Sequence, residues 1–161
     1  MEWEYGWFTL TCIICGQQYS AGIRGCTGKT TACCPNCFKQ YTNLQGINYR
    51  ARRLSLPETL KLDEWNRCLD YWDSCCAYCG NPPGLFREMK IGMEHYIALT
   101  DPRPDNPGTA ANNIIPACKS CNSRKHNKIA SVWLVKQFGQ QAAEKIEARI
   151  REYFESLKTG T

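Results

Sequence analysis

Two pairs of cysteines, each spaced as Cys-x2-Cys, mark the stretch of the chain with the clearest chemistry. The first pair is Cys76 and Cys79, and the second pair is Cys118 and Cys121. Four thiolates at this spacing suit one tetrahedral Zn2+, which prefers sulfur ligands. Such a bound ion stabilises a small fold that has no large hydrophobic core. We therefore expect these four cysteines to hold a structural zinc, with disulfides or free thiols as the alternative.

A second set of side chains lies between and just after these pairs and offers oxygen and imidazole ligands. Glu94 and His95 are adjacent, Asn113 precedes the second pair, and Asn122 follows it. A histidine near a phosphodiester can take a proton from water, and carboxylate and amide oxygens suit a hard, hydrated divalent ion. His95 is the natural base, with Glu94 and Asn122 as ligands of a catalytic ion. The simpler interpretation is a structural histidine with asparagines in turns or helix caps.

The ten residues that end at Asn122 read Asn-Ile-Ile-Pro-Ala-Cys-Lys-Ser-Cys-Asn. Together with the Glu-His pair, this motif resembles the HNH endonucleases of the ββα-metal class that carry a four-cysteine zinc site. The resemblance covers roughly residues 62 to 158. It implies that Glu94 and Asn122 bind one catalytic Mg2+ or Mn2+, and that His95 is the general base of DNA hydrolysis. It also implies that Asn113 holds the loop or the base through backbone hydrogen bonds.

Two departures from the family pattern leave the metal preference open. The last motif position is Asn122 where histidine also occurs, and Glu94 stands where aspartate is frequent. His126 adds a further question, because colicin-type members of the class place a second metal histidine four residues after the last motif residue. The resemblance thus implies a metal or phosphate contact at His126, and an exposed histidine on a basic helix is the alternative. A helix from about Cys118 to Lys128 would put Asn122 and His126 on one face.

A second four-cysteine set lies near the N-terminus. Cys12 and Cys15 are followed, after eighteen residues, by Cys34 and Cys37, which is a spacing typical of a zinc ribbon. Partly alternating apolar residues from 3 to 10 predict a strand that leads into the first pair. Four further cysteines leave the choice of zinc ligands open. Cys33 adjoins Cys34 and Cys75 adjoins Cys76, and the other two are Cys26 and Cys68.

Basic residues are concentrated in two parts of a chain with a formal net charge of +5. No Asp or Glu occurs between Glu4 and Glu58. An acid-free basic segment favours a polyanionic partner, since neutralising phosphates releases counterions. We expect double-stranded DNA, and a solvated basic surface is the alternative. The residues expected to contact DNA are Arg50, Arg52, Arg53, Lys119, Arg124, Lys125 and Lys128.

The cysteines also bear on the cellular compartment. A secreted disulfide protein usually follows a signal peptide, but the N-terminal residues Met-Glu-Trp-Glu-Tyr have no basic region before an apolar core. No run of about 18 apolar residues predicts a membrane span. Eight of the twelve cysteines fall into Cys-x2-Cys pairs, which favours zinc in a reducing compartment. We expect a cytoplasmic protein with no membrane partner.

Apolar periodicity predicts the elements that position these residues. In chain order they are a helix at 62–73 with a core-facing stripe, a strand at 91–95, a surface loop at 99–112, a strand at 113–116, the helix at 118–128, and helices at 131–138 and 140–157. The expected fold is a small α+β protein in three parts. A zinc ribbon occupies 1–43, a basic connector 44–61, and a zinc-stapled ββα-metal domain with C-terminal helices 62–161.

These patterns predict a metal-dependent DNA endonuclease with two structural zinc ions and one catalytic Mg2+ or Mn2+. A site-specific restriction enzyme fits the layout and would favour a homodimer on a palindrome. A homing or phage-type nicking endonuclease fits equally well. Two other classes compete with the enzyme: a non-catalytic double-zinc module that binds nucleic acid, and a thiol redox protein that uses its cysteine pairs.

Overall fold

The computed structural model describes residues 7–22, 33–84 and 89–159. The chain divides into two compact units, Met1–Gln45 and Gly46–Thr161. Cys26 and residues 3–6 of the expected first strand lie outside the described residues. In the part of the chain that is described, no helix is both long enough and apolar enough to cross a membrane.

The N-terminal unit contains a β-hairpin and the beginning of a long helix. Strands β1 (Trp7–Thr11) and β2 (Gln18–Gly22) are antiparallel, and helix α1 (Pro35–Arg53) starts inside the second cysteine pair. The hairpin turn carries the first pair, and the Gly16 N–H closes the turn with a 2.9 Å hydrogen bond to the Cys12 carbonyl. Gly16 has a φ of +71°, a conformation that glycine adopts without steric cost.

The second unit places two strands and a short helix in succession, so it has the ββα order that the resemblance implies. Strands β3 (Ile91–His95) and β4 (Ile114–Cys118) are antiparallel, with His95 opposite Ile114. Helix α3 (Lys119–Lys125) follows β4 directly. Every residue of β4 is buried, which anchors this edge of the site in the core.

Three further helices belong to this unit. Helix α2 (Leu62–Tyr71) packs on β4, and helices α4 (Ala130–Phe138) and α5 (Gln140–Thr159) form a pair. Gly139 separates α4 from α5 with a φ of +83°, a conformation that favours glycine just after the end of a helix. The two C-terminal helices and the mixed α+β fold are confirmed.

The core of this unit is rich in aromatic side chains. Trp72 and Tyr153 are buried with ring centroids 6.2 Å apart, and Tyr78 meets Trp133 edge to face at 5.0 Å. Each such side chain stabilises the fold by about 1.5–3 kcal/mol through burial alone. Trp65 and Trp72 belong to the stripe expected to face the core, and both are buried.

Four features near the site differ from the expected ones. Asn113 belongs to a 3-10 turn (Ala111–Asn113), so the second strand begins one residue later and runs to Cys118. Helix α3 ends at Lys125, because His126 takes a φ of +49°. The segment expected as a connector at 44–61 includes the C-terminal part of α1. The loop at 99–112 is not simply a surface crossing, since Asn106 and Thr109 in it are buried.

Candidate metal centres and active site

The first metal centre unites the four N-terminal cysteines expected to bind zinc. The Sγ atoms of Cys12, Cys15, Cys34 and Cys37 all lie within 4.8 Å of one another, and those of Cys15 and Cys34 are 3.8 Å apart. A tetrahedral zinc with Zn–S bonds of about 2.3 Å places its sulfurs about 3.8 Å apart. The donor set and its spacing therefore fit one structural Zn2+. Cys33 packs beside this cluster without joining the four.

The second centre brings together Cys76, Cys79, Cys118 and Cys121 in the same way. Their Sγ atoms also lie within 4.8 Å of one another, with Cys79 and Cys118 separated by 3.9 Å. A hydrogen bond from the Cys121 thiol lowers the pKa of Cys76 to about 5, which favours the thiolate that binds zinc. Because Cys118 ends β4 and Cys121 lies in α3, a zinc here fixes the start of α3 to the first cysteine pair.

Two other cysteines of the second unit lie outside the zinc groups. The buried Cys68 thiol faces the Ile114 carbonyl at 3.6 Å, and burial raises its pKa to about 12. The Cys75 thiol faces the Asp73 carbonyl at 3.4 Å. Among the described residues, Cys76 rather than Cys75 therefore belongs to the four-cysteine cluster that fits zinc.

A cavity of about 510 Å³ lies at the end of strand β3. The predicted catalytic residues Glu94, His95 and Asn122 all line it, and so does His126. Two of the three arginines from the end of α1, Arg50 and Arg53, complete its wall. Residues from three separate parts of the chain thus meet at one opening.

His95 is held in a single orientation by Thr109. The His95 Nε2 atom lies 2.8 Å from Thr109 Oγ1, and the Thr109 hydroxyl donates a 3.3 Å hydrogen bond to the Ile47 carbonyl. A hydroxyl has only one proton to donate, so Thr109 accepts from His95 and the Nε2 atom carries the hydrogen. The Nδ1 atom of His95 is then the unprotonated nitrogen, able to accept a proton.

The protonation state of His95 agrees with this assignment. Burial, together with the positive charges of Arg50 and Lys125, lowers the pKa of His95 to about 4. The imidazole is therefore neutral near pH 7, which is the form that acts as a base. Sequence patterns did not reveal Thr109, because the bond that makes it important joins residues that are neighbours only after folding.

The loop that carries Thr109 is fixed by two buried amides. Asn113 accepts a 2.7 Å hydrogen bond from the Ile97 N–H and donates to the carbonyls of Ile97 and Gly108. Asn106 donates to the Ala98 carbonyl at 3.0 Å. Gly108 has a φ of +62°, and a Cβ there would collide with the backbone oxygen of Pro57. Asn113 thus ties the two ends of the loop together, and the loop in turn positions the residue that orients His95.

Glu94 is engaged in a buried ion pair. Its Oε1 atom accepts a 2.8 Å hydrogen bond from the Lys125 ammonium, and the exposed fractions are 6% for Glu94 and 0% for Lys125. Burial raises the pKa of Glu94, and the charge of Lys125 opposes that rise. The expectation that Lys125 contacts DNA is wrong, because a side chain with no exposed surface cannot reach a phosphate backbone. No pattern in the sequence distinguished Lys125 from the exposed basic residues beside it.

Asn122 and His126 reach the cavity in different ways. Asn122 lies in α3, and within the described ranges its side-chain amide makes no hydrogen bond, so its oxygen can bind a cation. His126 is exposed and follows the end of α3, so the two residues do not share a helix face as expected. Glu94, His95 and His126 do not form a compact ligand cluster like the two cysteine sets. The oxygen donors that fit a hard divalent ion are those of Glu94 and Asn122.

The other residues expected to contact DNA separate into groups. Arg52 does not line the cavity, and its guanidinium makes a 2.7 Å ion pair with Glu58. In the second basic segment the exposed residues are Lys119, Arg124 and Lys128. Arg50 and Arg53 make no ion pair with any described residue, and both line the cavity.

Comparison with known proteins agrees with this geometry. Residues 76–128 match the family model described as HNH endonuclease. The chain is 30% identical over 126 residues to YoqL of Bacillus subtilis (strain 168), which is named as an SPbeta prophage-derived candidate HNH endonuclease. That match covers 75% of this chain and 53% of the relative, so the chain spans about half the relative's length. No solved structure matches the chain significantly. Residues 76–128 are therefore similar to the HNH endonuclease family.

Proposed function

We propose that this chain is a metal-dependent DNA endonuclease that hydrolyses phosphodiester bonds in the cavity described above. In this proposal His95 is the general base, and Glu94 and Asn122 hold one divalent ion, Mg2+ or Mn2+. The observation that carries the proposal is the neutral, oriented imidazole of His95 in the same cavity as two oxygen donors and two arginines. A binding module has no need of a base beside a carboxylate.

The chemistry follows from the residues of this chain. The Nδ1 atom of His95 takes the proton from the attacking water, while Thr109 keeps the ring from rotating. Such a positioned base contributes about 100- to 10,000-fold to a reaction rate. A bound divalent ion would neutralise charge on the phosphate and on the leaving oxygen. The carboxylate and amide donors suit Mg2+ or Mn2+ better than a soft metal.

Cleavage of supercoiled and linear plasmid with Mg2+ or with EDTA tests the activity. Zinc content is measured in each sample, so that loss of the structural ions is not mistaken for loss of the catalytic one. We expect cleavage by wild type with Mg2+, and none with EDTA or with Glu94→Gln. If zinc-loaded, folded wild type binds DNA but cuts none of a varied set of substrates, the non-catalytic alternative is correct.

Arg50 and Arg53 are proposed to hold the phosphates of double-stranded DNA at the cavity. They lie three residues apart on one helix and share the cavity wall, and a guanidinium is suited to phosphate oxygens. Arg52, between them in sequence but paired with Glu58, is the matched control. We expect Arg50→Ala and Arg53→Ala each to lower the salt dependence of DNA binding by about one unit of slope. Arg52→Ala should leave that slope nearly unchanged.

The proposed biological role is that of a phage-type endonuclease rather than a restriction enzyme. The relative named above is prophage-derived, and this favours the phage-type alternative. The expected product is a nick or a break at few sites, seen as discrete bands in the plasmid assay. A homodimer that cuts both strands of a palindrome would instead support the restriction role. In either role the N-terminal zinc ribbon and the basic segment are proposed to extend DNA binding, in the cytoplasm.

A further inference from the structure

Lys125 is the most deeply buried charged residue near the cavity. Its ammonium donates two hydrogen bonds of 2.8 Å, one to Glu94 Oε1 and one to the backbone carbonyl of His95. Its exposed fraction is 0%. A lysine is almost never fully buried unless it is paired, and an apolar side chain of the same length would avoid the desolvation of its charge. The buried ammonium is therefore expected to have a specific role at the end of β3.

One part of this role is that Lys125 contacts both Glu94 and His95. Adjacent residues of a strand place their side chains on opposite faces, yet both Glu94 and His95 line the cavity. His95 is the last residue of β3. Lys125 donates to the side chain of Glu94 and to the backbone carbonyl of His95. It therefore fixes the end of β3, where both side chains reach the cavity.

The second part concerns the two oxygens of Glu94. Oε1 is occupied by the ammonium of Lys125, whereas no described residue donates a hydrogen bond to Oε2. Oε2 is thus the carboxylate oxygen available to a cation in the cavity. Mg2+ requires near-octahedral coordination and usually takes one oxygen of a carboxylate, while Ca2+ readily accepts both.

We propose that Lys125 is a positioning residue that keeps Glu94 Oε1 from binding the metal ion. Only one oxygen of Glu94 then remains for the ion, and the cavity prefers Mg2+ or Mn2+ over Ca2+. This inference rests on the proposed function, in which Glu94 is a metal ligand. The positive charge of Lys125 also lowers the affinity of the site for any divalent ion, since like charges close together repel. The ion then depends on further ligands, such as substrate phosphates, for tight binding.

The test is binding of Mn2+ and of Ca2+ alone to the full, zinc-loaded chain without DNA, measured by titration calorimetry. Lys125→Met removes the charge and both hydrogen bonds, and Lys125→Gln removes the charge but keeps an amide donor. Lys136→Met, which changes an exposed lysine of α4, is the matched control. We expect Lys125→Met to bind both ions more tightly and to shift the Ca2+/Mn2+ affinity ratio towards Ca2+ by about tenfold or more. Lys125→Gln should shift it less, and the control should not shift it.

Each other outcome counts against the inference. A ratio unchanged within about twofold in folded Lys125→Met, with both zinc ions retained, would show that Lys125 only supports the fold. Failure of both Lys125 variants to fold or to retain zinc would likewise assign Lys125 a purely structural role. Glu94→Gln separates this inference from the proposed function: if that variant binds Mn2+ as wild type does, Glu94 is not a ligand, and the metal assignment fails together with the inference.

Discussion

The contact between Thr109 and His95 yields the sharpest prediction about the site. Thr109→Val keeps the shape of the side chain and removes the hydroxyl that accepts from His95 Nε2 at 2.8 Å and donates to the Ile47 carbonyl at 3.3 Å. A buried donor left without a partner costs about 1–3 kcal/mol, and the second bond contributes about 0.5–1.5 kcal/mol. We therefore expect the free energy of unfolding to fall by about 1.5–4.5 kcal/mol.

The same substitution should slow cleavage, because the ring loses the partner that fixes its tautomer. If the hydrogen bond to His95 accounts for about 1–3 kcal/mol of the stability of the reactive ring orientation, its loss lowers the rate by about 5- to 160-fold. Thr109→Ser retains the hydroxyl and should recover most of both losses. The assays are urea unfolding of the zinc-loaded protein and single-turnover cleavage with saturating Mg2+. The assignment of the Nε2–H tautomer is refuted if Thr109→Val cleaves at the wild-type rate.

Three further predictions concern the ion pair, the zinc centre and pH. Lys125→Met should lower the free energy of unfolding by about 3–5 kcal/mol, because it leaves the Glu94 carboxylate buried without a counter-charge. The double variant that also carries Glu94→Gln should regain a large part of the lost stability. If the losses of the two single variants simply add, the ion pair does not stabilise the fold. Cys76→Ser should remove one of two zinc ions and unfold the second unit, whereas its neighbour Cys75→Ser should retain both by metal analysis. Because the pKa of His95 is lowered to about 4, the base stays neutral as pH falls through 6.5. The acidic inflection of kcat/KM should therefore lie below pH 6. An inflection near pH 6.5 would mean that His95 is not desolvated in the free enzyme.

Much of the zinc chemistry could be predicted from local sequence. A Cys-x2-Cys pair places two thiolates on one turn, so only the meeting of two pairs depends on the fold. The adjacency of Glu94 and His95 in one strand is local for the same reason. The spacing also assigned Cys76 rather than its neighbour Cys75, and in the structure Cys75 lies outside the cluster with its thiol facing the Asp73 carbonyl.

Other features of the site depend on contacts between distant residues and had no local pattern. Lys125 resembles its basic neighbours in sequence, and only the packing of α3 against β3 buries it beside Glu94. Thr109 acts on His95 across a loop that Asn113 and Gly108 hold in place. The helix expected to continue to Lys128 ends at Lys125, where the left-handed conformation of His126 stops it. In that helix the backbone conformation overrides the pattern on which its expected length depended.

The most direct test of the proposed catalytic role is single-turnover cleavage of plasmid DNA by His95→Ala at saturating Mg2+ and unchanged zinc content. DNA affinity of the zinc-loaded protein, measured without chelator and without added Mg2+, serves as the control for folding and substrate binding. We expect unchanged affinity and a rate lowered by about 100- to 10,000-fold, the usual contribution of a positioned general base. Cleavage by His95→Ala at the wild-type rate would contradict the central claim that His95 in this cavity is the base of the reaction.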